Sequence, residues 1–288
     1  MIIYLNGEFL PKSEAAISPD DRGFLLADGI YEVLRVYRGC LFEPDAHWQR
    51  LARSLREIRI DPPAGTDWTG LSMRLLQQNQ LERRDASIYI QVTRGVAPRN
   101  HAFPQPAGPP TVYAAADPVD DPNAGPAGSS KWESGAGIQL VPDVRWLRCD
   151  IKAVGLLPNV LASQQALEAG ADEAVFVRDR AVTEGARTNF AAVFDGCLHT
   201  HPANHLILPG ITRAVVLRLC AALGVAVVQR PIPETDLAQA DEMMLLGTRS
   251  EVMPVVRVNT RAVGNGKPGS VTHKLQAAFR AHIEATTR

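Results

Sequence analysis

Alternating apolar and polar positions predict antiparallel strands in the first part of the chain. The stretch IIYLNGEFL, residues 2–10, is typical of two strands joined by an Asn-Gly turn. The stretch GIYEVLRVYRGCLFE, residues 29–43, repeats this arrangement, with Tyr31, Val33 and Arg35 on one face and a turn at Gly39. ASIYIQVTRG and PTVYAAA predict two further strands.

Apolar residues at helical spacing predict four helices between the strands. The first two cover Pro44–Ile58 and Trp68–Asn79. The other two cover Leu161–Ala169, ending at Gly170, and Thr212–Leu223, ending before Gly224. Short strands are predicted in the second half at GIQLVPDV, EAVFVRD, NFAAVFDG, CLHTH, VAVVQR and EMMLLGT. Mixed helices and largely antiparallel strands indicate an α+β fold.

A change of composition near the middle of the chain predicts two domains. DPVDDPNAGPAGSSKWES, residues 117–134, is dense in Pro, Gly, Asp and Ser, as linkers are. We therefore expect an N-terminal α+β domain at 1–116 and a C-terminal mixed α/β, barrel-like domain at 135–288. A cleft between two domains is a common place for a small-molecule site.

Charge and cysteine content narrow the possible functions. The 30 basic and 31 acidic residues give a net charge of −1, which provides no field for nucleic acid or an anionic membrane. The four cysteines are far apart and form no C-x-x-C pair, which favours reduced thiols. The N-terminus has no basic segment typical of a signal peptide, and no apolar run reaches the ~20 residues needed to cross a bilayer. We expect a cytoplasmic globular protein.

Three positions could carry chemistry, and each also has a plainer explanation. Lys152 lies between the apolar residues Ile151 and Ala153, which is an unusual place for a solvated surface lysine. Glu184 lies where a strand turns into the next one, and it could be a surface acid or could hold a proton on a heteroaromatic nitrogen. Gly210-Ile211-Thr212 begins a helix, whose N-terminus suits a phosphate but equally an ordinary cap at Thr212.

Basic residues cluster in three more segments. VTRGVAPRNHAFP contains Arg94, Arg99 and His101, which suit a carboxylate but could also form a solvated loop. His47 and Arg50 share one helix face, where packing is the commoner reason for such a pair. HTHPANH contains three histidines without an acidic partner at ligand spacing, so we expect turn residues rather than a metal site.

The order of these motifs identifies a family. The sequence resembles the fold-type IV pyridoxal-phosphate enzymes, which include the D-amino-acid and branched-chain aminotransferases and aminodeoxychorismate lyase, and it is most similar to the D-amino-acid branch. The motifs that carry the resemblance span nearly the whole chain: YLNGEF, DGIYEVLRVYRG, HWQRL, QVTRGVAPRNHAFP, RWLRCDIKAVGLL, TEGARTN, THPAN, LPGITR and TRSEVMPV.

The resemblance implies a two-domain architecture with pyridoxal 5'-phosphate in the interdomain cleft. Lys152 corresponds to the lysine that forms the Schiff base with the cofactor and acts as general acid and base. Glu184 corresponds to the acid at the pyridine nitrogen, and Leu208 to the residue packed on the ring. The phosphate would be bound by Arg50, Ile211, Thr212 and Thr248. The substrate α-carboxylate would be bound by Tyr31, Arg99 and His101.

The implied activity is transamination between D-amino acids, such as D-alanine and D-glutamate, and 2-oxo acids. The implied assembly is a homodimer in which the loop with Arg99 and His101 comes from the partner subunit. An L-branched-chain aminotransferase, an aminodeoxychorismate lyase and, remotely, a hydrolase with a metal at His199, His201 and His205 are the alternatives. Two departures from the family pattern affect substrate range: Arg187 replaces part of a serine-rich run, and Gly247 stands where a phosphate-binding serine is common.

Overall fold

The computed structural model describes residues 1–63, 65–119 and 130–287, and these form two compact units. The first unit comprises Met1–Val119 and the short segment Ile151–Leu156. The second comprises the described part of residues 120–150 together with Leu157–Thr286. Lys152 therefore belongs structurally with the N-terminal residues, although it is far from them in sequence.

The first unit is a six-stranded antiparallel sheet with helices packed on it. The described strands run across the sheet in the order Glu8–Pro11, Ile2–Leu5, Thr111–Pro118, Ala86–Thr93, Gly29–Tyr37 and Cys40–Leu41. Leu51 and Leu55 of the second helix and Leu75 of the third pack with Ile88 and Ile90 of the central strand in one buried cluster. The elements are β1 (Ile2–Leu5), β2 (Glu8–Pro11), α1 (Arg22–Leu26), β3 (Gly29–Tyr37), β4 (Cys40–Leu41), α2 (Pro44–Glu57), α3 (Trp68–Gln78), β5 (Ala86–Thr93) and β6 (Thr111–Pro118).

Both predicted hairpins of the first unit are confirmed. In the first, β1 pairs with β2 and the turn residues Asn6 and Gly7 have φ of 49° and 103°. In the second, β3 pairs with β4 and the turn residues Arg38 and Gly39 have φ of 50° and 86°. Two consecutive positive φ values match the twist of the flanking strands, which explains why glycine is needed at these places.

The second unit contains a closed ring of strands. Strands β10, β14, β15, β7, β8 and β9 pair in that order, and β9 pairs back with β10 through Glu184 and Asn189. The elements in the described residues are α4 (Ser130–Ser134), β7 (Ala136–Pro142), α5 (Leu157–Glu168), β8 (Glu173–Arg178), β9 (Ala181–Gly185), β10 (Asn189–Phe194), β11 (Cys197–Thr200), α6 (Ile211–Leu223), β12 (Val227–Gln229), β13 (Ile232–Pro233), β14 (Glu242–Gly247), β15 (Glu251–Val258), β16 (Arg261–Ala262) and α7 (Ser270–Thr286).

Helices α5 and α7 of the second unit differ from the prediction. Helix α5 begins at Leu157, four residues before the predicted start, because Pro158 lies in its first turn, where no backbone N–H is needed. The C-terminal helix α7 was not predicted, although its buried Val271, Leu275 and Phe279 recur every four residues. Its first turn is capped from another element, since the Glu242 carboxylate accepts hydrogen bonds from the first backbone N–H groups.

The predicted linker overlaps ordered structure at both ends. Asp117 and Pro118 belong to β6, and residues 130–134 form α4. Residues 120–129 of the predicted linker lie outside the described residues. The domain boundaries at 116 and 135 stay a prediction. No helix in the described ranges has both the length and the apolar character needed to cross a membrane.

The two hairpin glycines provide a test of the turn geometry. A Cβ at Gly39 would overlap the backbone carbonyl of Glu82, whereas a Cβ at Gly7 would have nothing within 4 Å. We expect Gly7→Ala to lower the free energy of unfolding by only the ~1–2 kcal/mol of left-handed strain. Gly39→Ala should cost more, about 3 kcal/mol, because backbone must also move. Urea denaturation of both variants measures this, and equal losses would contradict the described turn.

Candidate active site

Backbone pairing fixes the position of Lys152 within the first unit. The Tyr31 N–H donates to the Lys152 carbonyl oxygen at 2.9 Å, and the Val154 N–H donates to the Gly29 carbonyl oxygen at 3.1 Å. Ala153 forms an isolated bridge with Ile30. The segment with the lysine is therefore bound to the beginning of β3 like a short extra strand.

The Lys152 side chain lies on the face of Tyr31. The Nζ atom is 4.2 Å from the centroid of the Tyr31 ring, a distance at which the π-system attracts a cation. Lys152 is partly buried, whereas Lys12, Lys131, Lys267 and Lys274 are all exposed. An amine that is shielded on one side and still accessible is suited to react with a small molecule.

A buried charge cluster lies in the same unit as Lys152. Glu32 is fully buried and accepts hydrogen bonds from Arg50 Nη2 at 2.6 Å, Arg50 Nε at 3.0 Å and His47 Nδ1 at 3.1 Å. Burial alone would raise the pKa of Glu32, but Arg50 and His47 outweigh it and hold this pKa well below its usual value. Ionised Glu32 can only accept, so His47 Nδ1 carries the hydrogen.

The same cluster determines the charge of the histidine. Burial lowers the pKa of His47, and the positive charges of Arg50 and Lys152 lower it further, against the opposing effect of Glu32. His47 is therefore neutral near pH 7, and the pair of Glu32 with Arg50 carries no net charge. Arg50 was predicted to contact a phosphate; the structure places it at Glu32, and its phosphate role stays a prediction.

Arg99 and His101 lie on the loop between β5 and β6, with exposed side chains. The backbone of this loop is fixed, because the buried Arg22 donates to the carbonyl oxygens of residues 100–102. Among the described residues, neither side chain forms a hydrogen bond or ion pair with Tyr31 or Lys152. The structure thus groups Tyr31 with Lys152 and leaves the two loop cations apart from them.

Glu184 lies at the end of β9 in the second unit and is buried. Its Oε1 accepts from Arg145 Nη1 at 2.5 Å, and its Oε2 accepts from Asn189 Nδ2 at 2.9 Å and from the Leu208 N–H at 3.0 Å. Burial raises the pKa of Glu184 to about 7, against the opposing effect of Arg145. All three partners are donors, and a protonated carboxyl would lack an acceptor, so the geometry favours the carboxylate form.

Arg145 connects Glu184 to a second buried acid. Its Nε and Nη2 each donate to one oxygen of Asp143 at 2.9 Å, while Nη1 contacts Glu184. Arg178 pairs with the same Asp143 at 3.0 Å. Two arginines and two carboxylates thus balance their charges in a buried network, which lets acids remain ionised away from water.

The N-terminus of α6 lies next to Glu184 through shared contacts with Asn189. Asn189 Nδ2 also donates to the Leu208 carbonyl oxygen at 2.9 Å, and a Cβ at Gly210 would overlap Asn189 Oδ1. Gly210 is the N-cap of α6, and no side chain of the described residues caps this helix. The first backbone N–H groups, those of Ile211 and Thr212, are thus left for another acceptor.

Gly247, which precedes Thr248, lies close to Thr188, which follows Arg187 in the chain. Thr248 follows β14, and a Cβ at the adjacent Gly247 would come within 2.9 Å of Thr188 Cγ2. Arg187 is at the tip of the β9–β10 hairpin with its side chain 70% exposed and 3.4 Å from buried Glu173. Close packing therefore explains why residue 247 is glycine and not the serine that the family pattern has there, because little space remains for a side chain.

Several residues around the site were not predicted. Asn189 could have been found, since a tight turn between antiparallel strands places it opposite Glu184. Arg145 carries no such signal, because Glu184 is 39 residues away in the sequence, and Asp143 enters the network only through its pairing with Arg145. Glu32 belonged to a recognised strand, but its burial became evident only with Arg50 packed against it.

The remaining histidine segment provides no metal site. His201 is buried, and its Nδ1 lies 2.9 Å from the Pro202 carbonyl oxygen, while His199 packs edge-on against Phe194. Within the described residues no group of three or more His, Cys, Asp or Glu side chains could hold a metal ion. The metallohydrolase alternative therefore has no ligand set there.

Comparison with known proteins identifies the family. The model of amino-transferase class IV matches residues 29–258, and the chain belongs to this family. Class IV aminotransferases use pyridoxal 5'-phosphate. The resemblance and the α+β fold class predicted from the sequence are confirmed.

Similar proteins extend over the full length of the chain. The D-alanine aminotransferase of Staphylococcus haemolyticus is 41% identical over 284 residues, 98% of each chain. That of Bacillus licheniformis is 39% identical over 289 residues, 100% of this chain and 99% of the relative. Among solved structures, the branched-chain amino acid aminotransferase of Escherichia coli has a TM-score of 0.88 at 26% identity, covering 100% of this chain and 96% of its own.

The residues of this structure fit the cofactor of the family. Among the described residues Glu184 receives three hydrogen bonds, which leaves about one of its roughly four acceptor positions for a ring N–H. The uncapped start of α6 offers backbone N–H groups and a positive helix end to a phosphate. Lys152 presents the amine that an aldehyde requires.

The buried network at Asp143 predicts a pH dependence of stability. Burial tends to raise the pKa of Asp143, but hydrogen bonds from Arg145 and Arg178 lower it to about 2. A carboxyl with a lowered folded-state pKa stabilises the protein above its ordinary pKa near 3.8, and this contribution disappears as the pH falls through about 2. Asp143→Asn should cost about 3 kcal/mol at pH 7, because it leaves buried arginines uncompensated.

Urea unfolding of the Asp143→Asn variant at several pH values measures this. The difference in unfolding free energy between the variant and the parent protein should shrink as the pH falls from about 4 towards 2. The exposed Asp61 provides a matched control, and Asp61→Asn should change the free energy of unfolding by less than ~0.5 kcal/mol at any pH. A difference for Asp143→Asn that does not depend on pH would contradict the described ion pairs.

Proposed function

We propose that this protein is a pyridoxal-phosphate-dependent transaminase that exchanges the amino group between D-amino acids, such as D-alanine and D-glutamate, and 2-oxo acids. The observation that carries the proposal is the position of Lys152, the one lysine that is not exposed in the described residues. Its amine lies on Tyr31 and is fixed by backbone pairing to β3. The full-length similarity to D-alanine aminotransferases supports the choice of substrate class.

The residues implied by the family resemblance would hold the cofactor. Glu184 would accept the hydrogen of the ring nitrogen, and Leu208 would pack on the ring. Ile211 and Thr212 would bind the phosphate at the start of α6, with Arg50 and Thr248 as further contacts. Bound pyridoxal 5'-phosphate supplies an aldehyde that condenses with amines and a ring that withdraws electrons from the substrate α-carbon.

Lys152 would perform the proton transfer of the reaction. Its amine would hold the cofactor covalently between turnovers, and once displaced by the substrate amine, Nζ would remove the proton from the substrate α-carbon. The aromatic face of Tyr31 shields one side of this amine, which limits the directions from which a substrate can approach. The face of the α-carbon that meets Nζ then decides which enantiomer reacts.

Anchoring of the substrate carboxylate would select the enantiomer. Arg99 and His101 offer cationic donors, with the bidentate geometry of a guanidinium suited to a carboxylate, and Tyr31 adds a hydroxyl. Each enantiomer of an amino acid has one α-hydrogen. When the carboxylate is fixed in one place, the α-hydrogen of only one enantiomer can point at Lys152. The PRNHAFP motif and the full-length similarity to D-alanine aminotransferases are the reasons to favour the D-enantiomer over branched-chain L-substrates.

We propose a homodimer in which the Arg99 and His101 loop serves the partner subunit. Exposed apolar residues of the second unit support this proposal, because a second copy of the chain would cover them. The residues that are each more than half exposed are Trp146, Leu147, Leu157, Val160 and Leu161. The domain boundaries at 1–116 and 135–288 belong to the same proposal. Four free cysteines are in keeping with action in the cytoplasm.

An L-branched-chain aminotransferase is the second candidate, because solved enzymes of that activity share the fold at 26% identity. An aminodeoxychorismate lyase is a third. The loss of bound-cofactor absorption on addition of D-alanine, L-leucine or D-glutamate separates these functions. If the absorption is lost with L-leucine and with neither D-amino acid, the proposed substrate class is wrong.

The first test removes the proposed covalent anchor. Lys152→Ala should abolish transamination and the visible absorption of the bound cofactor, because no other amine holds it. Borohydride reduction followed by peptide mass analysis should label the Lys152 peptide of the parent protein. Lys274→Ala is a matched control, because this lysine is exposed. Transamination and the visible absorption should both remain in this variant. A Lys152→Ala protein that keeps transamination, or a parent protein labelled on another lysine, would refute the role.

The second test removes the proposed carboxylate anchor. Arg99→Ala should lower kcat/KM for D-alanine if the guanidinium forms a desolvated charge pair. The decrease should correspond to ~2–5 kcal/mol of lost transition-state stabilisation. The visible absorption should stay unchanged, because Arg99 is assigned no contact with the cofactor. Arg56→Ala, on an exposed face of α2, is the control. A change within about twofold for Arg99→Ala would contradict the carboxylate role.

A further inference from the structure

The loop that carries Arg99 and His101 is held by an arginine beneath it. Arg22 is 2% exposed, and its Nη1 donates to the carbonyl oxygens of Asn100 at 2.5 Å and Ala102 at 3.3 Å. Its Nη2 donates to the carbonyl oxygen of His101 at 3.4 Å. One guanidinium therefore contacts three consecutive carbonyl groups, while the side chains of Arg99 and His101 point outward into solvent.

Asp28 fixes Arg22 and a second arginine. Its Oδ2 accepts from Arg22 Nε at 2.8 Å and from Arg94 Nε at 2.7 Å, and its Oδ1 accepts from Arg94 Nη2 at 3.0 Å. Burial tends to raise the pKa of Asp28, but the bonds from Arg94 and Arg22 outweigh it and lower the pKa. Asp28 is therefore ionised at neutral pH, and the three groups together keep one positive charge.

Arg94 holds the far side of the same loop. Its guanidinium stacks 3.7 Å from the centroid of the Phe103 ring, two residues beyond His101. It also donates to the carbonyl oxygens of Ile58 at 2.6 Å and Arg59 at 2.9 Å, at the end of α2. The loop is thus fixed at residues 100–102 by one arginine and at residue 103 by the other.

The base of the loop is bound to the segment that carries Arg22. The Arg22 N–H donates to the Gly95 carbonyl oxygen at 2.9 Å, and Asp21 forms a bridge with Val96. Asp21 Oδ2 accepts from the Thr93 hydroxyl at 3.0 Å. Backbone and side chains therefore fix the loop at its base and at its tip, so that little conformational freedom remains to be lost when a ligand binds.

We infer that Arg22, held by Asp28, is a positioning residue for substrate-carboxylate recognition by the loop with Arg99 and His101. The inference rests on the proposed function. A loop that must be ordered on binding loses affinity for every residue it immobilises, whereas a loop already fixed does not. Arg22 removes that loss because it orders the backbone from below and leaves both cationic side chains exposed.

A purely structural role predicts a different pattern of effects. Three of the four hydrogen bonds of the Arg22 side chain go to loop carbonyls, and the fourth goes to Asp28. The loss of Arg22 should therefore affect substrates that carry a carboxylate and spare the reaction of the amine itself. General destabilisation of the protein would instead lower kcat/KM equally for all substrates. It would also lower the visible absorption of the bound cofactor.

The test compares two substrates that differ only in the carboxylate. The holoenzyme is assayed with D-alanine and with D-alaninamide, which has the same amine and chirality but no negative charge. For Arg22→Met the ratio of kcat/KM for D-alanine over D-alaninamide should fall at least tenfold, mainly through KM for D-alanine. The visible absorption of the bound cofactor should stay as in the parent protein. Arg56→Met, which removes an exposed arginine of α2, should leave the ratio within twofold.

Arg22→Lys provides a second variant that keeps the charge next to Asp28. An ammonium cannot reach three carbonyl groups in the planar geometry of a guanidinium, so the ratio should fall here also. A ratio that is unchanged in Arg22→Lys, or in a folded Arg22→Met, overturns the inference. If Arg99→Ala lowers the ratio while both Arg22 variants leave it unchanged, the proposed function stands and only the positioning role is wrong. If Arg99→Ala also leaves it unchanged, the carboxylate role in the proposed function fails.

Discussion

The backbone pairing of residues 152–154 with the beginning of β3 is the interaction on which the proposed chemistry depends. It brings a lysine from the middle of the sequence to a strand formed near the N-terminus. The strand supplies Tyr31 on one face and Glu32 on the other, so a single element carries the ring beneath the amine and the acid of the buried cluster. Backbone hydrogen bonds hold the amine in place more firmly than a flexible side chain alone could.

Three clusters of this protein pair shielded acids with basic groups, and the balance of charge differs from one cluster to the next. Glu32 with Arg50 and neutral His47 has no net charge, whereas Asp28 with Arg22 and Arg94 keeps a positive charge below the loop proposed to bind a carboxylate. In the second unit, Glu184 and Asp143 balance Arg145 and Arg178. Full pairing is what allows charges to be buried, and the surplus lies where an anion is expected.

The sequence predicted those parts of the fold that depend on local pattern. The hairpins at Gly7 and Gly39 and the helix at Pro44 follow from turn chemistry and periodicity over a few residues. The predicted start of α5 was four residues too late, since a proline such as Pro158 is tolerated in the first turn of a helix.

The buried partners of the site could not be predicted in the same way. Arg22 and Asn100 are 78 residues apart, and Arg145 and Glu184 are 39 apart, so only the fold brings them together. Lys152 and Glu184 were recognisable because short motifs surround them. Arg22 lies outside the quoted motifs, whereas Asp28 and Arg145 lie within them but have no spacing that indicates their partners.

The pairing of Glu184 with Asn189 has a consequence for which positions of the β9–β10 hairpin can change. This pair closes the ring of strands, and the Gly185 N–H bonds the Thr188 carbonyl oxygen within the turn, so both ends of the hairpin are fixed. The exposed Arg187 at the tip is not needed for either contact. The side chain at the tip can therefore be replaced while the acid stays in place, so mutational tolerance at residue 187 is compatible with a fixed carboxylate at residue 184.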